Sequence, residues 1–82
     1  MATLLSSSRK RTFWCLYREN PFEVCFSGEG FRRPRQDETA SLTTWQTEAD
    51  AAYIQRRLFR IADRPVQVAK RSYILARIRA ER

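Results

Sequence analysis

Residues 12–26 of the chain read TFWCLYRENPFEVCF, two hydrophobic runs that flank a short polar segment. Residues 12–17 are aromatic and aliphatic, too few for a helix and rich in strand-forming types, so we predict a central strand. Residues 22–26 alternate between apolar and other side chains, which predicts a second strand covered on one face only. Pro21 lacks the backbone donor that a strand ladder needs, so residues 18–21 are expected to form the turn of a hairpin.

The register of this hairpin decides where the two cysteines lie. Pairing Tyr17 with Phe22 places Cys15 opposite Val24, with the two sulfur atoms on opposite faces of the sheet. A shift of one residue would instead place Cys15 opposite Cys25. We predict the first register and free thiols, because two cysteines are far too few for a disulfide scaffold.

Further strands are expected around the hairpin. Gly28 and Gly30 tolerate positive φ angles, so the chain should turn or bulge there. Residues 31–33 are then a candidate third strand, and the polar residues 34–40 interrupt it. Residues 41–45 are a candidate for renewed pairing before a helix begins.

An amphipathic helix is predicted after residue 46. Thr47 is a suitable N-cap, and Asp50 three residues later completes a pattern that resembles a capping box. The apolar stripe expected to pack on the sheet consists of Ala51, Ile54, Leu58 and Ile61. The opposite side carries Arg56 and Arg60, with Tyr53 beside them and Arg57 on the flank. Residues 63–65 are expected to end the helix.

The last segment admits two interpretations. Residues 66–68 alternate like an edge strand and residues 73–82 are rich in helix-forming types, which favours a strand followed by a helix. The alternative is one long helix from Pro65, although its apolar residues do not form a single face.

These patterns predict an α+β fold. We expect an antiparallel sheet of three or four strands with one amphipathic helix packed on one face, plus a short C-terminal strand, helix or both. Residues 12–82 are expected to form a single compact domain. Residues 1–11 lack any apolar rhythm and are expected to form a flexible basic arm.

The composition argues against an enzyme. The chain has 82 residues and no histidine, which removes the usual general base near neutral pH and the commonest zinc ligand. Asp37 and Glu38 fit a polar loop, while Glu48 and Asp50 fit the start of a helix. We therefore expect a non-enzymatic protein without a metal or another cofactor.

The chain shows no signal for export or membrane insertion. Its first residues lack the charged and apolar regions of a signal peptide, and no run approaches the roughly 18 apolar residues of a membrane span. We expect a soluble, cytoplasmic protein with no membrane partner. The sequence leaves the oligomeric state open.

The net charge is +7, from sixteen Lys and Arg against nine Asp and Glu. Fourteen of the sixteen are arginines, whose planar guanidinium binds phosphates and carboxylates bidentately. We predict contact with nucleic acid, either DNA or RNA, through an arginine-rich surface. The first candidates are Arg56, Arg57, Arg60 and Tyr53, and the supporting ones are Arg9, Arg11, Arg32, Arg33 and Arg35. A further basic group consists of Arg71, Arg77, Arg79 and Arg82. For any one group, the alternative is a solvated face that keeps the chain soluble.

Three aromatic residues are candidates for stacking on exposed bases: Trp14, Trp45 and Tyr53. The competing interpretation is that they belong to the core, which is the commoner place for aromatic side chains at such spacings.

Residues 42–51, which follow the hairpin, read LTTWQTEADA. With the hairpin, this order resembles the sheet-then-helix ending of the small arm-binding domains of phage-type integrases, in which an aromatic residue, a Thr cap and an Ala-rich first turn recur. The resemblance covers about thirty-five residues of mostly generic capping pattern, and no residue here matches a base-reading position. It is therefore not counted as membership of that family.

The competing function is binding to a protein. Small proteins of phages and mobile elements often act as inhibitors or adaptors that occlude a host machine, for example a CRISPR effector or RNA polymerase. Arginine, tryptophan and tyrosine are enriched in interface hot spots, and an arginine-rich face also fits an acidic protein surface.

Overall fold

The structure, a computed structural model, describes residues 12–35, 38–39, 41–58, 60–61 and 63–81. Within these ranges the elements are β1 (Trp14–Arg18), β2 (Glu23–Phe26), β3 (Gly30–Arg32), α1 (Glu48–Leu58), β4 (Gln67–Lys70) and α2 (Arg71–Ala80). The strands form one antiparallel sheet in the order β3-β2-β1-β4. The predicted α+β fold and the central position of the first strand are confirmed. The predicted arm, residues 1–11, lies outside the described residues.

The two helices cover opposite faces of the sheet. Leu16 packs with Ala51 of α1, whereas its neighbours Cys15 and Tyr17 share a cluster with Ile74 of α2. Successive side chains of a strand point to opposite faces, so the sheet is buried between two helical layers. The prediction that β2 is covered on one face only is therefore wrong, since Cys25 is itself half-buried on the α1 side.

The hairpin register differs from both predicted alternatives. Tyr17 lies opposite Val24 and Arg18 lies opposite Glu23, so the turn comprises residues 19–22. The Nε atom of Arg18 donates to Oε1 of Glu23 at 2.8 Å, and this cross-strand pair holds Arg18 in the ladder rather than in the turn. Phe22 moves into the turn and its ring is buried in the core.

Both cysteines are free, as predicted, and they lie on opposite faces of the sheet. Burial raises the pKa of the Cys15 thiol to about 11, and burial also raises the pKa of Cys25. Neither thiol is therefore ionised near neutral pH, which fits small core-filling side chains.

The segment after β3 touches the sheet at two points. Leu42 bridges to Phe26, and Trp45 bridges to Trp14 through a reciprocal pair of backbone hydrogen bonds of 2.8 and 2.9 Å. The prediction of renewed pairing within residues 41–45 is confirmed as these isolated bridges. They fix the point from which α1 begins.

Helix α1 starts as predicted and ends earlier. Oγ1 of Thr47 accepts a hydrogen bond from the backbone N–H of Asp50 at 3.1 Å, which caps the first turn. The helix ends at Leu58, several residues before the predicted 63–65, and Ile61 is 80% exposed instead of packing on the sheet. The reason is that Val66 must enter the core, so the chain has to leave the helix early enough to reach the start of β4.

A strand followed by a helix is observed at the C-terminal end, so the alternative of one long helix from Pro65 is wrong. β4 pairs with β1 along four residues, and α2 begins at Arg71, two residues before the predicted start. No helix within the described residues is long and apolar enough to cross a membrane. In the same part of the chain, no three His, Cys, Asp or Glu side chains are grouped so as to hold a metal ion.

Candidate nucleic-acid interface

Acidic side chains in the described part of the chain gather around four arginines. Six of its eight carboxylates form ion pairs, and only four of its eleven arginines take part in them. The pairs are Arg18 with Glu23 and Asp63, Arg32 with Glu29 and Glu38, Arg64 with Glu23, and Arg77 with Glu19 and Glu81. The other arginines of these ranges therefore carry the uncompensated positive charge.

Arg32, a predicted binding residue, is one of the four paired arginines. Its Nε atom donates to Glu29 at 2.6 Å, Nη1 and Nη2 donate to Glu38, and the guanidinium lies 4.0 Å from the centre of the Phe26 ring. The bidentate pair, aided by the backbone N–H of Arg35, holds the pKa of Glu38 at about 2. The charge of Arg32 is thus compensated inside the fold, where it fixes the end of β3.

Of the remaining supporting candidates, the structure describes only Arg33 and Arg35. Arg33 and Arg35 are exposed, and their side chains form no ion pair with a carboxylate that the structure describes. The backbone of Arg35 is fixed by its bond to Glu38 at 3.0 Å. Arg9 and Arg11 lie outside the described residues.

The first candidates come together on one surface. Tyr53, Arg56, Arg57 and Arg60 line an open cleft of about 480 Å³, here called the α1 cleft. All four side chains are exposed, and no carboxylate is among the described residues that line the cleft. Arg60 lies in the turn after the helix rather than in the helix, yet it still borders the same cleft.

Helical geometry explains why these side chains share a surface. Residues three and four apart on a helix are neighbours, so Arg56 and Arg57 lie beside Tyr53. The two acids of α1, Glu48 and Asp50, are in its first turn, about 9 to 12 Å away from Arg56 along the helix axis at 1.5 Å per residue. Acidic side chains are stabilising near the N-terminus of a helix, where the helix dipole is positive, and basic side chains are stabilising near its C-terminus. The acids and the arginines of α1 therefore lie at opposite ends of the helix.

The Tyr53 and Arg57 side chains contact each other directly. Nη1 of Arg57 donates to the Tyr53 hydroxyl at 3.1 Å, and the guanidinium carbon lies 5.7 Å from the ring centre. The contact limits the rotamers of both exposed side chains. It leaves the other N–H groups of Arg57 available for an anionic ligand.

The structure separates the three aromatic candidates. Trp14 and Trp45 are half-buried and pack against the cluster under α1, so they belong to the core. Tyr53 has 52% of its surface exposed. Sequence reasoning also missed Ile61, which was assigned to the apolar stripe and instead stands exposed next to Arg60. The earlier helix end depends on where Val66 enters the core, which the sequence pattern does not show.

Comparison of the chain with protein-family models, with curated protein sequences and with solved structures finds no match in any of the three. The function is therefore inferred from the chemistry of its own surface.

Proposed function

We propose that this protein is a small, non-enzymatic, cytoplasmic binding protein that contacts nucleic acid through the α1 cleft. The observation that carries the proposal is the separation of charge: six of the eight described carboxylates pair with arginines elsewhere, while Arg56, Arg57 and Arg60 line a cleft without a described carboxylate. The two free cysteines suit a reducing compartment.

The chemistry of the cleft fits phosphate groups. Guanidinium groups bind phosphate oxygens bidentately and keep their charge at every physiological pH. Such contacts release counterions, so affinity should fall steeply with salt while depending little on base sequence. Arg33 and Arg35, which are exposed after β3, add positive charge that would assist the initial encounter.

The test is fluorescence anisotropy with a labelled oligonucleotide at two salt concentrations. The double variant Arg56→Glu/Arg60→Glu should lose nearly all binding at both, with little change in stability because both side chains are exposed. The matched control is Lys70→Glu/Arg79→Glu, which changes the net charge by the same amount at exposed positions outside the cleft. Equal loss in the two double variants, or no binding by the unaltered protein at low salt, would reject the proposal.

A protein partner is the second candidate, favoured by the exposure of Ile61 next to Arg60 in the chain. Tyrosine and arginine are enriched in interface hot spots, and the exposed isoleucine adds apolar surface for a protein partner to bury. In this case the protein acts as an inhibitor or adaptor of the phage or mobile-element type on an acidic host protein. Affinity capture with and without nuclease separates the two functions, because only a protein partner survives nuclease treatment.

A further inference from the structure

Tyr53 differs from the other aromatic residues of the described part of the chain. Its side chain is 52% exposed, and it forms no ring–ring contact within these ranges. Tyr73 is 42% exposed, but its ring centre lies 5.7 Å from that of Tyr17. Tyr53 therefore presents an aromatic surface that the fold itself does not use.

The position of Arg57 leaves that surface open. Three other arginines of the described residues lie closer to a ring centre than Arg57 does to that of Tyr53: 4.0 Å for Arg32 on Phe26, 4.2 Å for Arg77 on Phe22 and 4.9 Å for Arg18 on Phe31. The Arg57 carbon is 5.7 Å from the centre of the Tyr53 ring and its Nη1 atom donates to the hydroxyl, so the guanidinium is displaced toward the hydroxyl end of the ring. A single guanidinium can cover at most one face of a ring, so the other face of Tyr53 is free of Arg57.

We propose that Tyr53 stacks on an unpaired base, so that the α1 cleft takes single-stranded nucleic acid in preference to a duplex. This inference rests on the proposed function and specifies its ligand. Bases within a duplex are already stacked and paired, so their faces are not accessible to a side chain on a helix surface. An exposed ring beside cationic side chains is the combination that single-strand-binding proteins use.

The neighbouring arginines fit the backbone of the same strand. Arg56 and Arg60 border the cleft with Tyr53, so a nucleotide whose base lies on the ring places its phosphates within the arginine group. Stacking on an aromatic ring tolerates every base, because each base has a π face. The cleft should therefore bind single strands with little sequence preference and with strong salt dependence.

The experiment compares an oligo(dT) strand of about 12 nucleotides, within the usual site size of single-strand binders, with a duplex of equal length. The unaltered protein should bind the single strand more tightly than the duplex at low salt. Tyr53→Ala should weaken single-strand binding about tenfold and duplex binding less than twofold, from the loss of one stacked base. Tyr53→Phe, which keeps the ring, should bind the single strand as the unaltered protein does.

A second readout separates stacking from charge. Tyr53→Ala should leave the dependence of log affinity on log salt unchanged, whereas Arg56→Gln should reduce its slope by about 0.7 for one lost phosphate contact on a single strand. Tyr73→Phe serves as a tyrosine control outside the cleft and should leave both affinity and slope unchanged. Circular dichroism confirms that each variant is folded.

The possible failures are distinguishable. If the duplex binds as well as the single strand, or if Tyr53→Ala weakens both equally, the stacking inference is wrong while the proposed function stands. If Tyr53→Phe loses as much as Tyr53→Ala, the hydroxyl rather than the ring is responsible, and the inference is again wrong. If neither oligonucleotide binds at low salt, the proposed function fails and the inference fails with it.

Discussion

Helices α1 and α2 carry the same local pattern on opposite layers of the molecule. The sequence Tyr-Ile-x-x-Arg followed by an aliphatic residue occurs at residues 53–58 and again at residues 73–78. In both copies the arginine donates to the tyrosine hydroxyl one turn earlier, at 3.1 Å for Arg57 and 3.0 Å for Arg77. The isoleucine and the last aliphatic residue of each copy pack toward the sheet.

The surroundings of the two pairs are different. Arg77 forms a bidentate pair with Glu19 at 2.7 and 3.0 Å, bonds Glu81 at 3.1 Å and lies 4.2 Å from the centre of the Phe22 ring. These hydrogen bonds raise the pKa of Arg77 and lower that of Glu19. Arg57 has no carboxylate partner within the described residues. The same local pair is therefore structural on α2 and open to a ligand on α1.

The difference originates in the turn between β1 and β2. Glu19 bonds Arg77, and Glu23, at the start of β2, bonds Arg18 and Arg64, so the carboxylates near this turn are all engaged. Arg64 also bonds the backbone carbonyls of residues 19 and 21, which fixes the chain that follows α1. Arg77 therefore has its bidentate partner in Glu19, which is distant in sequence, and a further local partner in Glu81 four residues later.

The largest expected effect is the loss of stability on removing Arg77. Arg77→Ala should lower the free energy of unfolding by about 2 to 3 kcal/mol, because it removes charged hydrogen bonds and leaves Glu19 without its partner. Arg57→Ala should change it by less than about 0.5 kcal/mol, as is typical of exposed sites. Urea unfolding monitored by tryptophan fluorescence provides the measurement. Equal destabilisation by the two variants would contradict the distinction between the helices.

Acid should reduce the stabilisation that the paired carboxylates contribute, including that of Glu19 with Arg77. It should not affect Arg57, which has no carboxylate partner within the described residues. Hydrogen bonds from Arg77 lower the pKa of Glu19 below its usual 4.5, and those from Arg32 hold the pKa of Glu38 at about 2. Burial raises the pKa of Glu23, but hydrogen bonds from Arg18 and Arg64 lower it further than burial raises it. Because these pKa values are lowered in the folded state, the stabilisation is complete above about pH 4.5 and is lost as pH falls toward about 2.

The measurement is the urea midpoint at a series of pH values from neutral to about 2. Glu19→Gln should be less stable than the unaltered protein near neutral pH and should show a smaller further loss in acid, since it lacks one titrating carboxylate. Parallel pH profiles for the two proteins would show that the Arg77 pair does not contribute to acid sensitivity.

Much of the fold was predictable because it depends on local patterns. Alternation in residues 22–26 and the Thr47 cap identify β2 and the start of α1 without any tertiary information. The hairpin register was not predictable, since the cross-strand pair of Arg18 with Glu23 outweighs the turn preference of the sequence around Pro21. The end of α1 was missed because it depends on where Val66 must enter the core.

The candidate site was predictable in part. Helical spacing alone placed Arg56, Arg57 and Tyr53 on one surface, and the structure finds them lining one cleft. The compensation of Arg32 by Glu29 and Glu38 could not be derived from spacing, because it requires the chain to fold back after β3. A run of arginines in a sequence does not reveal which of them already have an acidic partner.

An acid next to Arg60, at the position that corresponds in sequence to Glu81, should compete with an anionic ligand of the α1 cleft. Glu81 stands four residues after Arg77, and the corresponding position after Arg57 is Ile61, which is 80% exposed. Ile61→Glu should weaken oligonucleotide binding about fivefold by adding a negative charge beside the cleft, with little effect on stability. Ile61→Gln is the uncharged control and should bind normally. If both variants weaken binding equally, the isoleucine itself makes the contact, which favours a protein-like hot spot.

The smallest expected effect concerns the two tyrosine hydroxyls. Tyr73→Phe removes an acceptor from Arg77 in a partly buried network, at a cost of about 0.5 to 1 kcal/mol in the free energy of unfolding. Tyr53→Phe removes the equivalent acceptor from Arg57 in solvent, where water replaces it, so its cost should be close to zero. Urea midpoints measured side by side can resolve this difference, since the two substitutions are chemically identical. If Tyr53→Phe is the more destabilising of the two, the contact between Tyr53 and Arg57 stabilises the fold. Arg57 would then not be available to bind a ligand.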